Sequence, residues 1–189
     1  STKLVAKAAS VLGNETDHSI YGVLAEDIRQ AILKTYFDER QVCRIHTQTA
    51  YILAIYMDIV SSEAIYENGR RLADKIRQNG GHLDTGFVGT PYICPALTKA
   101  GQSGTAYELL LKNDFPSWLY QVTQGATTVW ESGSAQDDIL NGTGDGSLNH
   151  YAFGSIVEWL FADVCGIRPL AEAPGFERLY INPHPDERL

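Results

Sequence analysis

Segment 47–60 constrains the fold most, because it offers almost no polar face to water. Apolar side chains occupy nearly every direction around a helix, from Tyr51 through Met57 to Val60. A helix that is hydrophobic on all sides has to be covered on all sides by other protein. We therefore expect a helix here, buried inside a larger helical assembly.

The two neighbouring segments, 19–36 and 62–78, carry the helical period but keep one polar side. The apolar stripe of the first is formed by Ile20, Leu24, Ile28, Ala31, Ile32 and Thr35. That of the second is formed by Ile65, Leu72 and Ile76. After the second, Asn79 and two glycines provide the left-handed stop that ends a helix.

Further helices are predicted at 91–100, 103–112, 116–122 and 149–164. The last of these is again apolar nearly all round, and we expect Tyr151 and Phe153 to lie in the core. Buried helices thus alternate with half-exposed ones, which is typical of two concentric rings of helices. A solenoid would show a sequence period, and none is found. The fold class predicted is all-α, with the helices arranged as part of a toroid.

The character of the chain changes after Gly166. Pro169 and Pro174 interrupt 168–183, and 176–181 has the pattern of a strand. A single strand does not fold alone. The sequence therefore predicts a helical domain over 1–166, of which the chain holds the C-terminal part, and the incomplete start of a β-rich domain over 167–189.

Composition excludes several classes of function. A net charge of −8 without a basic stripe argues against a nucleic-acid partner. The longest apolar run, 51–57, is too short for a membrane span, and the first residues lack the features of a signal peptide. The cysteines, Cys43, Cys94 and Cys165, are spaced unlike a zinc site and predict free buried thiols. Such thiols indicate a reducing compartment, so we expect a cytoplasmic protein without metal or cofactor.

A carboxylate follows an indole at Trp130 and Glu131, and His150 returns nineteen residues after the glutamate. A carboxylate beside aromatic rings is what a sugar-cleaving site needs, because it activates water while the rings stack on the sugar. From these residues alone, a structural role for the pair is the favoured interpretation. Trp130 suits barrel packing as well as sugar contact, and His150 suits a backbone hydrogen bond.

Two further loops are candidates for a site. His82 and Asp84 lie between glycines in 81–89, which forms either part of a pocket or a tight turn between helices. Asp137, Asp138 and Asp145 suggest calcium by composition, but their spacing is not that of a calcium loop, so a solvated loop is preferred.

Five blocks of sequence, in order and with compatible gaps, carry a family resemblance. They are TQTAY at 47–51, GHLDTGFVGTPY at 81–92, DFPSWLY at 114–120, QGATTVWE at 124–131 and NHYAFGS at 149–155. Together they resemble the bacterial α-L-rhamnosidases of glycoside hydrolase family 78.

The resemblance implies a catalytic (α/α)6 barrel followed by a β-sandwich domain, and hydrolysis with inversion by two carboxylates. Glu131 matches the general base. His150 matches a residue lining the sugar pocket, and Trp130, His82 and Asp84 are further candidates for substrate binding. The implied partners are rhamnosylated small molecules or oligosaccharides.

Two features depart from that pattern. The family's general acid lies in an acidic motif upstream of every matched block, and 1–41 contains no such motif. Ser132, Gly133 and Ser134 follow Glu131, where the family commonly places a bulky or basic residue and soon afterwards a tryptophan. We therefore expect the isolated chain to be inactive, and to associate with the remainder of a parent enzyme or with itself. A non-catalytic carbohydrate-binding or scaffold module, and a barrel glycosidase for another sugar, remain open.

Overall fold

The computed structural model describes residues 1–131 and 146–188. Its helices are α1 (Thr2–Val11), α2 (Glu15–Tyr36), α3 (Gln48–Tyr56), α4 (Ser62–Gln78), α5 (Gly86–Gly89), α6 (Ile93–Lys99), α7 (Ser103–Leu111), α8 (Trp118–Thr123), α9 (Tyr151–Gly154) and α10 (Ile156–Trp159). A 3₁₀ turn, Thr90–Tyr92, joins α5 to α6, and a π-helical turn, Leu160–Val164, follows α10. Strands β1 (Ile167–Pro169) and β2 (Leu179–Ile181) pair antiparallel.

Successive helices form hairpins. Helix α1 packs against α2, α3 against α4, and α6 against α7, while α3 and α6 also pack together at the centre. The largest fully buried side chains are Gln48, Ile52, Ile55, Asn68, Leu72, Ile76, Ile93, Cys94, Leu97, Leu109 and Trp159. The core of the described residues therefore lies where the second and third hairpins meet.

Helix α3 is the buried helix that its composition predicts, although it ends at Tyr56 rather than at Val60, and Met57 is 42% exposed. Ile52 and Ile55 are both 0% exposed, and the Thr47 hydroxyl caps the helix by accepting from the backbone N–H of Ala50 at 3.2 Å. Helix α4 confirms the amphipathic prediction, with Leu72 inside the core and the charged side outside. It ends at the predicted glycines.

The first part of the stripe predicted for α2 is exposed, whereas Ile32, near its end, packs against the core. Ile20, Leu24 and Ile28 are 56%, 41% and 42% exposed, and Ala25 is the buried residue of this helix. Helix α1, which the sequence reading did not predict, is the main partner of α2 within the described ranges. A stripe of apolar residues becomes core only where another element covers it.

The helix expected at 149–164 is divided. Ser155 separates α9 from α10, and Trp159 is the residue that the core covers, with its ring edge against Tyr107 at 5.0 Å between centroids. The prediction that Tyr151 is a core residue is wrong, since its side chain is 80% exposed. The described helices cover one side of α10, the side that faces α6.

The end of the chain returns to the helices. The predicted strand at 176–181 forms β2 over its last three residues, and the following segment crosses α7, where the Tyr107 hydroxyl donates to the carbonyl of His184 at 2.5 Å. The boundary at 166 and the β-sandwich domain stay predictions.

The three cysteines are free. Burial raises the pKa of the Cys43 and Cys94 thiols, as expected for inert core residues. Cys165 is exposed, so the expectation of a buried thiol is wrong there. Along the described ranges, no helix has both the length and the apolar character to cross a bilayer.

Candidate active site

Glu131 and His150 lie on two chain segments that run side by side. The backbone N–H of Glu131 donates to the carbonyl of Ser147 at 2.8 Å, and the N–H of His150 donates to the carbonyl of Val129 at 2.8 Å. In addition, the Thr128 hydroxyl donates to the carbonyl of Leu148. The structure therefore brings together the two residues that the sequence singles out nineteen positions apart.

The Glu131 carboxylate is held by a backbone N–H and remains partly exposed to solvent. Its Oε2 accepts from the backbone N–H of Ser147 at 3.1 Å, and its Oε1 lies 3.9 Å from Nε2 of His150. The side chain is 38% exposed. Within the described residues, Oε2 is thus fixed by the backbone, while Oε1 accepts no hydrogen bond.

The His150 ring is oriented by its own helix. As the residue before α9, it accepts the backbone N–H of Ala152 on Nδ1 at 3.3 Å. A nitrogen that accepts carries no proton, so the neutral ring bears its proton on Nε2, which faces Glu131. Aromatic rings of Phe87, Tyr151 and Phe153 surround it at 5.3 to 6.3 Å between centroids.

A pocket of about 240 Å³ opens beside Glu131. Its lining residues are Leu83, Asp84, Thr85, Gly86, Thr90, Phe115, Pro116, Ser117, Trp118, Gln121, Glu131 and Phe153. Two carboxylates, several hydroxyl groups and three aromatic rings therefore share one small concave site. Such a mixture of apolar walls and a few polar groups is typical of small-molecule sites.

Asp84 reaches this pocket because a buried glutamine holds its loop. The Gln48 side chain donates to the carbonyl of His82 and accepts from the N–H of Asp84, both at 2.9 Å. Gln48 is 1% exposed, and it approaches from α3. The Asp84 side chain stays exposed, so it can accept hydrogen bonds from sugar hydroxyls.

His82 lies outside the pocket and contacts the loop before α8. Its Nδ1 donates to the carbonyl of Pro116 at 3.0 Å, and its Nε2 lies 3.3 Å from Oδ2 of Asp114. The side chain is 15% exposed and does not line the pocket described above. These contacts tie the loop before α5 to the loop before α8, and both loops supply pocket walls.

The tryptophans near the site are mostly buried. Trp130 is 5% exposed and is not among the pocket-lining residues, whereas Trp118, at 8%, forms part of the wall. The Trp118 indole donates to the carbonyl of Phe153 at 2.9 Å, so it also fastens α8 to α9. Sugar contact by Trp130 stays a prediction.

Gln121 is a site residue that the sequence reading missed. Its side chain is 5% exposed, lines the pocket and makes two hydrogen bonds to the backbone of Trp130. A glutamine inside a short apolar helix is a weak signal in sequence, because most glutamines are solvated.

Two expectations fall on residues 132–145, outside the described ranges. They are the departure from the family pattern at Ser132 to Ser134 and the choice between a calcium site and a solvated loop at Asp137, Asp138 and Asp145. In the ranges 1–131 and 146–188, no cluster of three or more His, Cys, Asp or Glu is placed to hold a metal ion.

Comparison with known families assigns a class to this arrangement. Residues 1–164 match the family model described as the bacterial alpha-L-rhamnosidase 6 hairpin glycosidase domain, so the helical hairpins are those of a six-hairpin glycosidase domain. The chain belongs to the bacterial α-L-rhamnosidase family of these domains.

Individual relatives agree. An α-L-rhamnosidase of Formosa agariphila is 37% identical over 192 residues, an alignment that covers 100% of this chain and 20% of that protein. The crystal structure of the Streptomyces avermitilis α-L-rhamnosidase complexed with L-rhamnose superposes with a TM-score of 0.85 at 36% identity, over 97% of this chain and 18% of that one. The native enzyme of Aspergillus terreus gives the same TM-score at 30% identity, over 97% and 21%.

These comparisons confirm the resemblance and the all-α fold as part of an (α/α)6 barrel. The chain spans about a fifth of the length of these relatives.

Proposed function

We propose that this chain is the segment of an inverting α-L-rhamnosidase that supplies the general base, Glu131. The observation that carries the proposal is the carboxylate itself, with one oxygen held by the backbone N–H of Ser147, in a side chain that is 38% exposed and lines the pocket. A base that activates water needs both a fixed direction and access to solvent.

In the proposed reaction, Glu131 takes a proton from water while the water oxygen bonds to the anomeric carbon. The glycosidic bond breaks on the opposite side, and its oxygen receives a proton from a general acid outside this chain. Inverting hydrolysis places the two carboxyl groups roughly 6.5–9.5 Å apart, which leaves room for that water.

The walls of the pocket suit a 6-deoxy sugar. Asp84 offers an acceptor for hydroxyl groups, and Phe115 and Phe153 offer apolar surface for the methyl group and the sugar face. Nε2 of His150 lies 3.9 Å from Oε1 of Glu131, so the ring faces the proposed base. The partners proposed are therefore rhamnosylated small molecules or oligosaccharides.

The test is hydrolysis of an aryl α-L-rhamnoside by the intact enzyme that carries this chain. Glu131→Gln should lower kcat by about 10²–10⁴-fold, since a positioned base contributes about that factor. The first-formed sugar, followed by NMR, should be the β-anomer. Glu108→Gln, on the exposed side of α7, is the matched control and should keep full activity.

Undiminished cleavage by Glu131→Gln would remove this residue from the mechanism. If the wild-type enzyme cleaves no rhamnoside but cleaves another glycoside, the barrel serves a different sugar. If it binds rhamnose without turnover, the chain belongs to a non-catalytic carbohydrate-binding module.

The isolated chain should not catalyse the reaction, because it lacks the acid. The apolar residues exposed on α1 and α2 should also make it associate, with the remainder of the parent enzyme or with itself. Sedimentation of the purified chain, beside its activity assay, checks both expectations. An active, strictly monomeric chain would contradict them.

A further inference from the structure

The tripeptide that carries Glu131 is hydrogen-bonded along both of its edges. Val129 and Glu131 use their backbone groups on one edge, toward His150 and Ser147. Trp130, between them, turns its N–H and its carbonyl to the opposite edge. This alternation is that of an extended chain inside a sheet, in which successive residues bond to opposite neighbours.

On that second edge the neighbour is a side chain, not a strand. Oε1 of Gln121 accepts the N–H of Trp130 at 2.9 Å, and Nε2 of Gln121 donates to the carbonyl of Trp130 at 3.2 Å. Gln121 and Trp130 are each 5% exposed, so water has little access to replace these bonds. The amide group of one glutamine thus takes the place of a neighbouring strand.

From this geometry we propose that Gln121 is a positioning residue for the general base: through the Trp130 peptide, it fixes the backbone from which the Glu131 carboxylate projects. The inference rests on the proposed role of Glu131. Peptide planes rotate about the bonds beside Cα, so a free Trp130 peptide would let the next residue turn. Held on both edges, the segment keeps the carboxylate aimed at one point of the pocket.

A second buried glutamine, Gln48, can be compared with Gln121. Gln48 holds the loop of Asp84 in the same way, with one bond donated to a carbonyl and one accepted from an N–H. Both glutamines are buried, and both serve a carboxylate that lines the pocket. Gln121 serves Glu131, and Gln48 serves Asp84. Comparing variants of the two therefore distinguishes positioning of the base from general support of the fold.

The experiment compares Gln121→Met and Gln48→Met in the intact enzyme with an aryl α-L-rhamnoside. Methionine keeps the length of glutamine and removes both hydrogen bonds. Gln121→Met should lower kcat by about tenfold to a hundredfold with KM nearly unchanged, because a misplacement of about 1 Å costs a factor of that size. Gln48→Met should instead raise KM, since Asp84 is proposed to bind the substrate.

A double-mutant cycle tests whether Gln121 acts through Glu131. In the Glu131→Gln background, Gln121→Met should have no further effect on kcat, because the group that it positions is no longer a base. A second variant, Gln121→Glu, keeps an acceptor for the Trp130 N–H but places a second acceptor against the Trp130 carbonyl, so it should lower kcat as well. It also serves if Gln121→Met does not fold.

The positioning role of Gln121 and the role of Glu131 as the base can fail separately in these experiments. If the wild type cleaves the substrate and both Gln121 variants keep the wild-type kcat, the positioning role is overturned and the function of Glu131 stands. Equal losses of kcat in Gln121→Met and Gln48→Met, or a full further loss in the Glu131→Gln background, would also overturn it. If the wild type does not cleave the substrate, the proposed function fails, and this inference fails with it.

Discussion

The first hairpin, α1 and α2, and the second, α3 and α4, each contain an amphipathic helix but differ in how deeply it is buried. Each contains a helix with an apolar stripe and a charged side. In α4 the stripe is inside, with Leu72 at 0% exposure, while in α2 Leu24 is 41% exposed. Helices α3 and α6 cover α4, whereas α1 is the main cover of α2 within the described residues.

The glycines of the two hairpins show the same difference in burial. Gly69 on α4 lies against Ala100, at the end of α6, so closely that a Cβ there would overlap the Cβ of Ala100. A Cβ built on Gly22 of α2 meets no atom within 4 Å. The packing of the second hairpin therefore requires glycine at position 69, whereas the described packing of the first does not require it at position 22.

The largest expected effect comes from removing a core leucine. Leu72→Ala should lower the free energy of unfolding by about 2–5 kcal/mol, the usual cost of lost burial and a remaining cavity. Leu24→Ala, the same change on α2, should cost less than about 0.5 kcal/mol in the isolated chain. Urea unfolding followed by circular dichroism measures both.

The same two variants should also be measured in the intact enzyme, where more of α2 can be covered. If the remainder of the barrel covers α2, Leu24→Ala should become markedly more costly there than in the isolated chain. Equal small costs in both would show that the stripe of α2 faces water in the whole protein.

A smaller effect, opposite in sign for the two hairpins, is expected at the glycines. Gly69→Ala should destabilise the chain by about 1–3 kcal/mol, because the overlap with Ala100 forces α4 and α6 apart. Gly22→Ala should stabilise it by about 0.5–1 kcal/mol, since alanine is the better helix former and has open space. Thermal midpoints of the two variants check the signs. A stabilising Gly69→Ala would contradict the close packing of these helices.

Much of the fold was predictable because helices follow from local pattern. The apolar character of α3 and the glycine stop after α4 are properties of short segments, and both are confirmed. Helix α1 was missed, and the helix at 149–164 was predicted as continuous where Ser155 divides it. These errors concern ends and breaks, which depend on packing between elements.

The candidate site was predictable in its residues and not in its geometry. Glu131 and His150 could be named from the motif blocks, and the structure places them on adjacent segments. No local pattern indicates that Gln121 holds the Trp130 peptide, or that Gln48 holds the loop of Asp84. A buried glutamine is recognised by its partners, and those partners lie nine and thirty-six residues away.

By itself, the sequence determined the helical class, the buried helix at the centre, the family and the carboxylate on which the proposed reaction rests. These depend on side-chain periodicity and on short motifs, which a linear chain displays in full. Only the tertiary structure decided which apolar stripes become core, which rings surround His150, and which amide groups hold the two carboxylates. Such properties depend on contacts between distant residues, and they exist only once the hairpins have packed.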